Sequence, residues 1–307
     1  MGFTTLRDAG DVGYLSVALR NAINMGLVEG PRIVASGQWL STTGGHADYL
    51  PLWLARTDDV SNVADGVDGV LKAVRRQIKM KTDWIKLYVT GGIMDPEDKQ
   101  EFTDDELKAA IEEAHNKEKL VMGHCMHAKG TLAGIKAGLD TIEHGTDLTE
   151  EIVDLMIQKG TYLIPTRAVI NAIVTRGLDY GLPRNYIERF KSVLEKSRRS
   201  FQMALDAGVK MALGTDAGFN LMLHGTNSLE LEALVALGMT PMQAILAGTR
   251  EAALALRLGD RLGTIEKGKL ADVIVVDGNP LEDIKILQDK NKIVLIIKEG
   301  VIYADKL

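Results

Sequence analysis

A parallel α/β fold with a small β appendage at its end is what the sequence predicts, and two observations carry the prediction. From residue 1 to about 260, short apolar runs, Gly or polar loops and amphipathic helices follow one another in that order, the pattern of βα units. After about residue 260 the texture changes to β-branched runs at 271–276 and 293–297, divided by Gly and Pro turns with no helix-length segment between them. No internal repeat, low-complexity tract or Pro-rich linker sets the appendage apart as an independent module. A chain of 307 residues is long enough for one α/β barrel or for two ordinary domains, so length does not choose.

Seven strands are expected, at 4–6, 32–36, 84–89, 120–123, 141–143, 162–165 and 211–214. The helices between them carry clear start and stop signals. Thr103 with Glu106 makes a capping box, after which Leu107, Ala110, Ile111 and Ala114 recur at helical spacing. Ile152, Leu155 and Met156 repeat that spacing before Lys159 and Gly160 close the helix. Thr240, Pro241 and Gln243 mark another start, with proline at the first helical position. These apolar faces are read as core that packs on a sheet.

Composition excludes several function classes. Hydrophobic residues at 46% with 25% charged residues describe a folded globular chain. A net charge of -6 leaves no basic footprint, so neither nucleic acid nor an anionic membrane surface is an expected partner, and a small-molecule substrate is. Cys125 is the only cysteine, which excludes an internal disulfide and suits a reducing compartment. The first residues lack a continuous apolar core, and no apolar run is long enough to span a bilayer, so a cytoplasmic location is expected.

Chemistry in parallel α/β folds sits at the carboxyl ends of strands. His124, in Val121-Met122-Gly123-His124-Cys125, and His144, in Thr141-Ile142-Glu143-His144-Gly145, each close a short apolar run there. Two readings stand: a pair of hydrogen-bonded core histidines, or two ligands of one metal. Asp216 closes a later run in the same way, as a helix cap or as a further ligand. In Trp84-Ile85-Lys86-Leu87-Tyr88-Val89, alternation sets Lys86 on one face with Trp84 and Tyr88 inside an otherwise buried strand. Either a salt bridge to a neighbouring strand compensates the ammonium, or burial depresses the lysine pKa and the neutral amine takes up carbon dioxide to become an anionic carbamate that bridges metal ions.

With these residues in order, the chain resembles the amidohydrolase superfamily, nearest its imidazolonepropionase-like and Xaa-Pro or Xaa-Arg dipeptidase branch. The resemblance rests on Ile85-Lys86 with Thr90-Gly91-Gly92, on the His124 and His144 segments, and on Gly214-Thr215-Asp216-Ala217-Gly218. Gly2-Phe3-Thr4-Thr5-Leu6-Arg7-Asp8-Ala9-Gly10, Gly30-Pro31-Arg32, Thr43-Gly44-Gly45-His46-Ala47-Asp48 and the run from Leu262 to Asp272 extend it over essentially the whole chain. It implies a (β/α)8 TIM-like barrel of the metal-dependent hydrolase type over 1–260, with 261–307 as part of a small β-sandwich. It also implies one or two divalent metal ions, zinc before others. Lys86 would be the N6-carboxylated ligand, His124 and His144 would hold the more exposed ion, and Asp216 would bind the other and shuttle a proton. His46 would help polarise the scissile carbonyl. The implied reaction is hydrolysis of a C–N bond in a dipeptide-like or N-acyl amino acid substrate by water activated on the metal.

The family's His-x-His pair, at the end of the first barrel strand, has no counterpart here, and residues 1–10 correspond to the second strand. The expected barrel is therefore short of its first strand, which accounts for the count of seven. Lys86, His124 and His144 would then remain as a three-ligand site with an open position. Unpaired edges make a homo-oligomer the expected assembly. A catalytically impaired homologue acting in binding or assembly is the alternative, and a phosphate-binding barrel enzyme using Gly44-Gly45 or Gly91-Gly92 ranks below both. Among other polar residues, His224 and Arg167 are candidates for substrate contact, Arg167 as a carboxylate anchor, with a plain loop histidine and a surface arginine as their bland readings. His127 is expected at a solvent-exposed helix start.

Overall fold

The computed structural model describes residues 2–48, 62–95, 99–218 and 221–307. They divide into two compact units, Thr5–Thr161 and Met1–Thr4 with Tyr162–Leu307. In the first unit the elements run β1 (Thr5–Arg7), α1 (Leu15–Asn24), β2 (Arg32–Val34), β3 (Leu40–Ser41), β4 (Asn62–Val63), α2 (Gly66–Lys79), β5 (Trp84–Tyr88), α3 (Asp104–His115), β6 (Leu120–Cys125), α4 (Ala128–Ala137), β7 (Thr141–His144) and α5 (Glu150–Lys159). β1 pairs with β2, and β4, β3, β5, β6 and β7 follow one another in a second sheet; every pairing is parallel.

The helices form where their caps and spacing put them. Thr103 and Glu106 complete the capping box at α3, which buries Leu107, Ala110, Ile111 and Ala114. Thr149 accepts the Ile152 amide at the start of α5, and Gly160 ends that helix in the left-handed conformation at φ +71°. β5 and β6 are buried almost throughout, as expected of a parallel sheet covered by helices on its outer face.

The opposite face of the sheet is not uniformly apolar. Arg7 of β1 reaches Glu143 Oε1 at 2.8 Å and Thr141 Oγ1 at 3.1 Å on β7, and its guanidinium lies 4.7 Å from the Trp84 ring centroid on β5. Thr141 donates in turn to Glu143 at 2.6 Å. Because side chains alternate along a strand, contact of Arg7 with Trp84, Thr141 and Glu143 identifies the face that Lys86 also occupies. A satisfied ion pair thus shares the face of the sheet that carries Lys86.

The second unit holds β8 (Tyr162–Ile164), α6 (Arg167–Arg176), α7 (Arg184–Asp206), α8 (Leu229–Ala236), α9 (Pro241–Ala247) and α10 (Arg250–Ala255). An antiparallel sheet follows, β9 (Val273–Val276), β10 (Ile293–Lys298) and β11 (Val301–Asp305), with β10 in the middle and a short 3-10 turn, Ile284–Gln288, between β9 and β10. Thr240, Pro241 and Gln243 start α9 with a second capping box. The fold is thus α/β with parallel strands alternating with helices and a terminal antiparallel sheet.

Two details differ from expectation. The strand expected at 211–214 is reduced to one bridge between Met211 and Leu163, because the Leu213 amide bonds the Ala247 carbonyl and leaves the sheet direction. β3 and β4 are two-residue strands, too short for any hydrophobic period to reveal.

Arg7 and Glu143 are almost fully buried, so removing one partner should cost more than the pair is worth. Arg7→Met is expected to destabilise the protein by about 3 kcal/mol in urea unfolding, and Arg7→Met with Glu143→Gln to recover a good part of that loss. If the double variant is as unstable as the two single losses added together, Arg7 and Glu143 are not coupled.

Candidate active site

The pleat of β5 presents Trp84, Lys86 and Tyr88 on one face, and the register between β5 and β6 sets Tyr88 beside His124. The strand ends are fastened there: the amides of Val89 and Thr90 both donate to the His124 carbonyl at 3.2 Å, and the Met126 amide donates to Thr90 Oγ1 at 2.8 Å. The Tyr88 and His124 rings consequently stack with centroids 4.9 Å apart at 29°. Lys86 is 3% exposed, with its Nζ 5.4 Å from the Tyr88 ring centroid.

His144 arrives by a different device. Strict alternation on β7 would set it opposite Glu143, but its backbone turns left-handed at φ +74°. That conformation costs a non-glycine residue about 1–3 kcal/mol. It brings His144 Nε2 to 3.0 Å from His124 Nδ1, with the rings edge to face at 4.6 Å.

Burial holds the His124 pKa well below the usual histidine range, and the neighbouring His144, His46 and Lys86 add to that effect against a weaker opposing contribution from the Gly91 backbone. The ring is therefore neutral at pH 7 and has a lone pair to give. Its Nε2 is buried without a hydrogen-bond partner, a deficit that ordinarily costs about 1–3 kcal/mol. Two nitrogens bound to one tetrahedral zinc at about 2.0–2.1 Å stand about 3.3 Å apart, and the pair here at 3.0 Å is within a few tenths of that. Among the described residues no three His, Cys, Asp or Glu side chains are arranged to hold a metal ion. Cys125 is a poor donor, since burial pushes its thiol up to about 12. Lys86 lies on the same face of β5 as Tyr88, whose ring stacks on His124. The donor set fits a divalent cation with nitrogen ligands.

His46 follows β3 and belongs to the same cluster. Its ring stacks on His124 with centroids 4.9 Å apart at 27° and lies 5.6 Å from Tyr88. Nδ1 is 2.6 Å from Asp95 Oδ2, and the His46 amide donates to Glu101 Oε1 at 3.0 Å. Burial alone would raise the Asp95 pKa, but the Gly92 amide, the His46 ring and Lys99 outweigh it and hold this carboxyl below its usual range. Asp95 and Glu101 were not among the sequence candidates. The clue available was their place just after Thr90-Gly91-Gly92, a segment singled out with Ile85-Lys86 for the family resemblance. His127 corrects an expectation: it is buried, not solvent-exposed, because Nε2 reaches the Gly92 carbonyl at 3.2 Å at the start of α4.

The other sequence candidates belong to the second unit. Asp216 is exposed and left-handed at φ +53°, and His224 is exposed. Arg167 is 4% exposed at the first turn of α6, so the surface reading is set aside. Burial lowers its pKa to about 10, opposed by the charge of Glu230. Glu230, on α8 and fully buried, accepts the amides of Arg167 at 2.7 Å and Ala168 at 2.6 Å. It caps α6 in place of Thr166, whose φ of +50° withdraws it from that role. Burial pushes the Glu230 carboxyl up to about 7, the two amides and Arg167 opposing and Asp216 adding.

Comparison with known proteins identifies the family. The amidohydrolase family profile matches residues 1–303. An ochratoxinase from Aspergillus niger is 34% identical over an alignment of 322 positions, gaps included, spanning 98% of this chain and 65% of the relative. The chain therefore covers just under two thirds of that protein's length. The structure of a Xaa-Pro dipeptidase with methionine bound in its active site superposes with a TM-score of 0.90 at 40% identity, over 99% of this chain and 75% of that one. A prolidase complexed with N-methylphosphonate-L-proline gives 0.86 at 33%, over 99% and 76%.

Because the Glu230 pKa is raised by folding, the unfolded chain releases this proton first as pH rises. The stability tied to that proton is present below about pH 4.5 and lost as pH climbs through about 7, a change on the order of 3 kcal/mol. Glu230→Gln should lower stability at pH 5 by about 1–3 kcal/mol through loss of one amide acceptor, and should flatten the decline between pH 5 and 8. Urea unfolding at those two pH values checks both. Parallel pH dependence of variant and wild type would show that Glu230 does not titrate as described.

Proposed function

The chain belongs to the amidohydrolase family, and from that premise we propose that it hydrolyses the C–N bond of a dipeptide-like or N-acyl amino acid substrate, using a divalent cation held by Lys86, His124 and His144. The observation that carries this reading is the convergence of two buried histidine rings, the neutral His124 presenting Nδ1 at 3.0 Å from His144 Nε2. Nitrogen donors of this kind favour zinc over calcium or magnesium. A cation bound there lowers the pKa of a water and polarises a carbonyl.

The chain's own residues do the rest. Lys86, N6-carboxylated, contributes an oxygen ligand and cancels the cost of an ammonium on a buried strand. His124 stays neutral through burial, so it competes for the cation and not for a proton. His46 faces the substrate carbonyl from its stack on His124. Asp216 is assigned the second ligand role and carriage of the proton to the leaving nitrogen, on the strength of the family motif. Arg167 and His224 are assigned to substrate contact. In this reading residues 1–260 carry the hydrolase function and 261–307 the small β domain.

Two of the similar structures support an amino acid on one side of the scissile bond: one is named a Xaa-Pro dipeptidase, and one is a prolidase complexed with N-methylphosphonate-L-proline. Among the described residues no helix is long and apolar enough to cross a membrane. Self-association and a cytoplasmic setting belong to the same reading. An impaired homologue that binds without turnover is the second reading, favoured by the lack, among the described residues, of three His, Cys, Asp or Glu ligands together.

Elemental analysis of the purified chain is expected to give at least one zinc per chain. His124→Ala and Lys86→Ala should each lose it, with hydrolysis of Xaa-Pro substrates falling at least about 100-fold. Metal uptake by the stripped chain should be faster in bicarbonate than in carbon dioxide-free buffer, because the carbamate needs carbon dioxide. Full metal and full turnover in Lys86→Ala would sink the carbamate assignment, while stoichiometric metal without turnover would favour the second reading.

A further inference from the structure

His46 is held at both ends by carboxylates that come from the segment after β5. Its amide donates to Glu101 Oε1 at 3.0 Å, while Thr42 Oγ1 donates to Glu101 Oε2 at 2.9 Å. Glu101 has a fully buried side chain, an ion pair with Lys99 at 3.6 Å, and its own amide on the Val89 carbonyl at the end of β5. The backbone of His46 is thereby fixed to the strand that carries Lys86.

Its ring is fixed separately. Asp95 closes a tight turn, its amide on the Gly92 carbonyl at 3.1 Å and its Oδ2 on the Gly92 amide at 2.7 Å. The same oxygen meets His46 Nδ1 at 2.6 Å. Three glycines make room for this arrangement. A Cβ on Gly92 would strike the His46 ring, one on Gly91 would strike Asp95, and one on Gly45 would strike Glu101. One face of the ring rests on His124 and its Nδ1 on Asp95, so the ring is held at two points. An ionised carboxylate only accepts hydrogen bonds, so Nδ1 carries the proton. Among the described residues Nε2 makes no hydrogen bond, and the His46 side chain is 28% exposed.

We propose that Asp95 is a positioning residue for the hydrolytic site, holding His46 through Nδ1 so that Nε2 is the ring nitrogen presented to the substrate. Whether Nε2 accepts as the neutral ring or donates as the doubly protonated ring, the Asp95 contact is the same, so orientation and tautomer do not change along the reaction. The logic parallels the buried aspartate of serine proteases, where a carboxylate orients an imidazole and selects its tautomer without itself changing protonation state. The contrary view is that Asp95 only braces a loop.

The kinetic arm of the test rests on the proposed hydrolysis and the spectroscopic arm does not. With the zinc-loaded full-length chain and a methionyl-proline dipeptide as probe, Asp95→Asn is expected to lower kcat about 10- to 100-fold with KM within about twofold. Asp95→Asn in a His46→Ala background should cost nothing further, since Asp95 acts through His46. In the same samples, nitrogen-15 spectra of selectively labelled histidine should show His46 protonated at Nδ1 in the wild type and a substantial Nε2-H tautomer in Asp95→Asn. Independent, multiplicative losses from the two substitutions, or unchanged His46 nitrogen shifts in Asp95→Asn, would overturn the proposal. If no dipeptide is turned over by the wild type, the functional reading fails and the nitrogen shifts still decide the role of Asp95.

Discussion

Two imidazole nitrogens held 3.0 Å apart under the surface of the first unit are the constraint on which its other features depend. Neutral nitrogen pairs so placed are costly: one ring is left with a buried, unpartnered nitrogen and the other sits on a strained left-handed backbone. Each cost is on the order of 1–3 kcal/mol, comparable to a sizeable part of a domain's net stability. Such strain persists only where the surroundings over-determine it. Here the β5–β6 register, the strand-end bonds to the His124 carbonyl and the Gly145 amide on the Cys125 carbonyl at 3.0 Å leave the two histidines no alternative position.

Polar groups gather on the face that carries the two histidines. Arg7 donates there to Thr141 and Glu143, Thr141 donates to Glu143, and the Arg7 guanidinium lies over Trp84. Lys86 shares that face of β5, and His46 joins the cluster with its two carboxylates. One Glu143 oxygen accepts two hydrogen bonds, while His124 Nε2 in the same sheet has none, so buried polar atoms a few residues apart are satisfied to different degrees.

The second unit repeats the theme with a carboxylate. Glu230 serves as a helix cap from another helix, accepting two consecutive amides where the local residue, Thr166, has turned away. The arrangement buries an arginine and a glutamate together, which explains why Arg167, read in sequence as either a surface residue or a carboxylate anchor, is found beneath the surface with a carboxylate already near it.

Strand and helix identities were legible because hydrophobic period and capping chemistry are local: Thr103 with Glu106, Thr240 with Gln243, and the apolar spacing after each are complete within a few residues. His124 and His144 were singled out for the same reason, each standing at the end of its own apolar run. What tertiary structure alone decided are the partners. Asp95 and Glu101 gain meaning only when the turn after β5 folds over the loop after β3, bringing carboxylates to a histidine 49 and 55 residues away. No period in the chain marks such a contact, because a hydrogen bond between loops depends on distance in space and leaves no repeating trace in sequence. His127 was misplaced for that reason, its burial set by the Gly92 carbonyl 35 residues earlier. The sequence by itself determined helices, caps and most strands, because period and capping are local. Folding decided which loops meet, and with them which carboxylates hold His46.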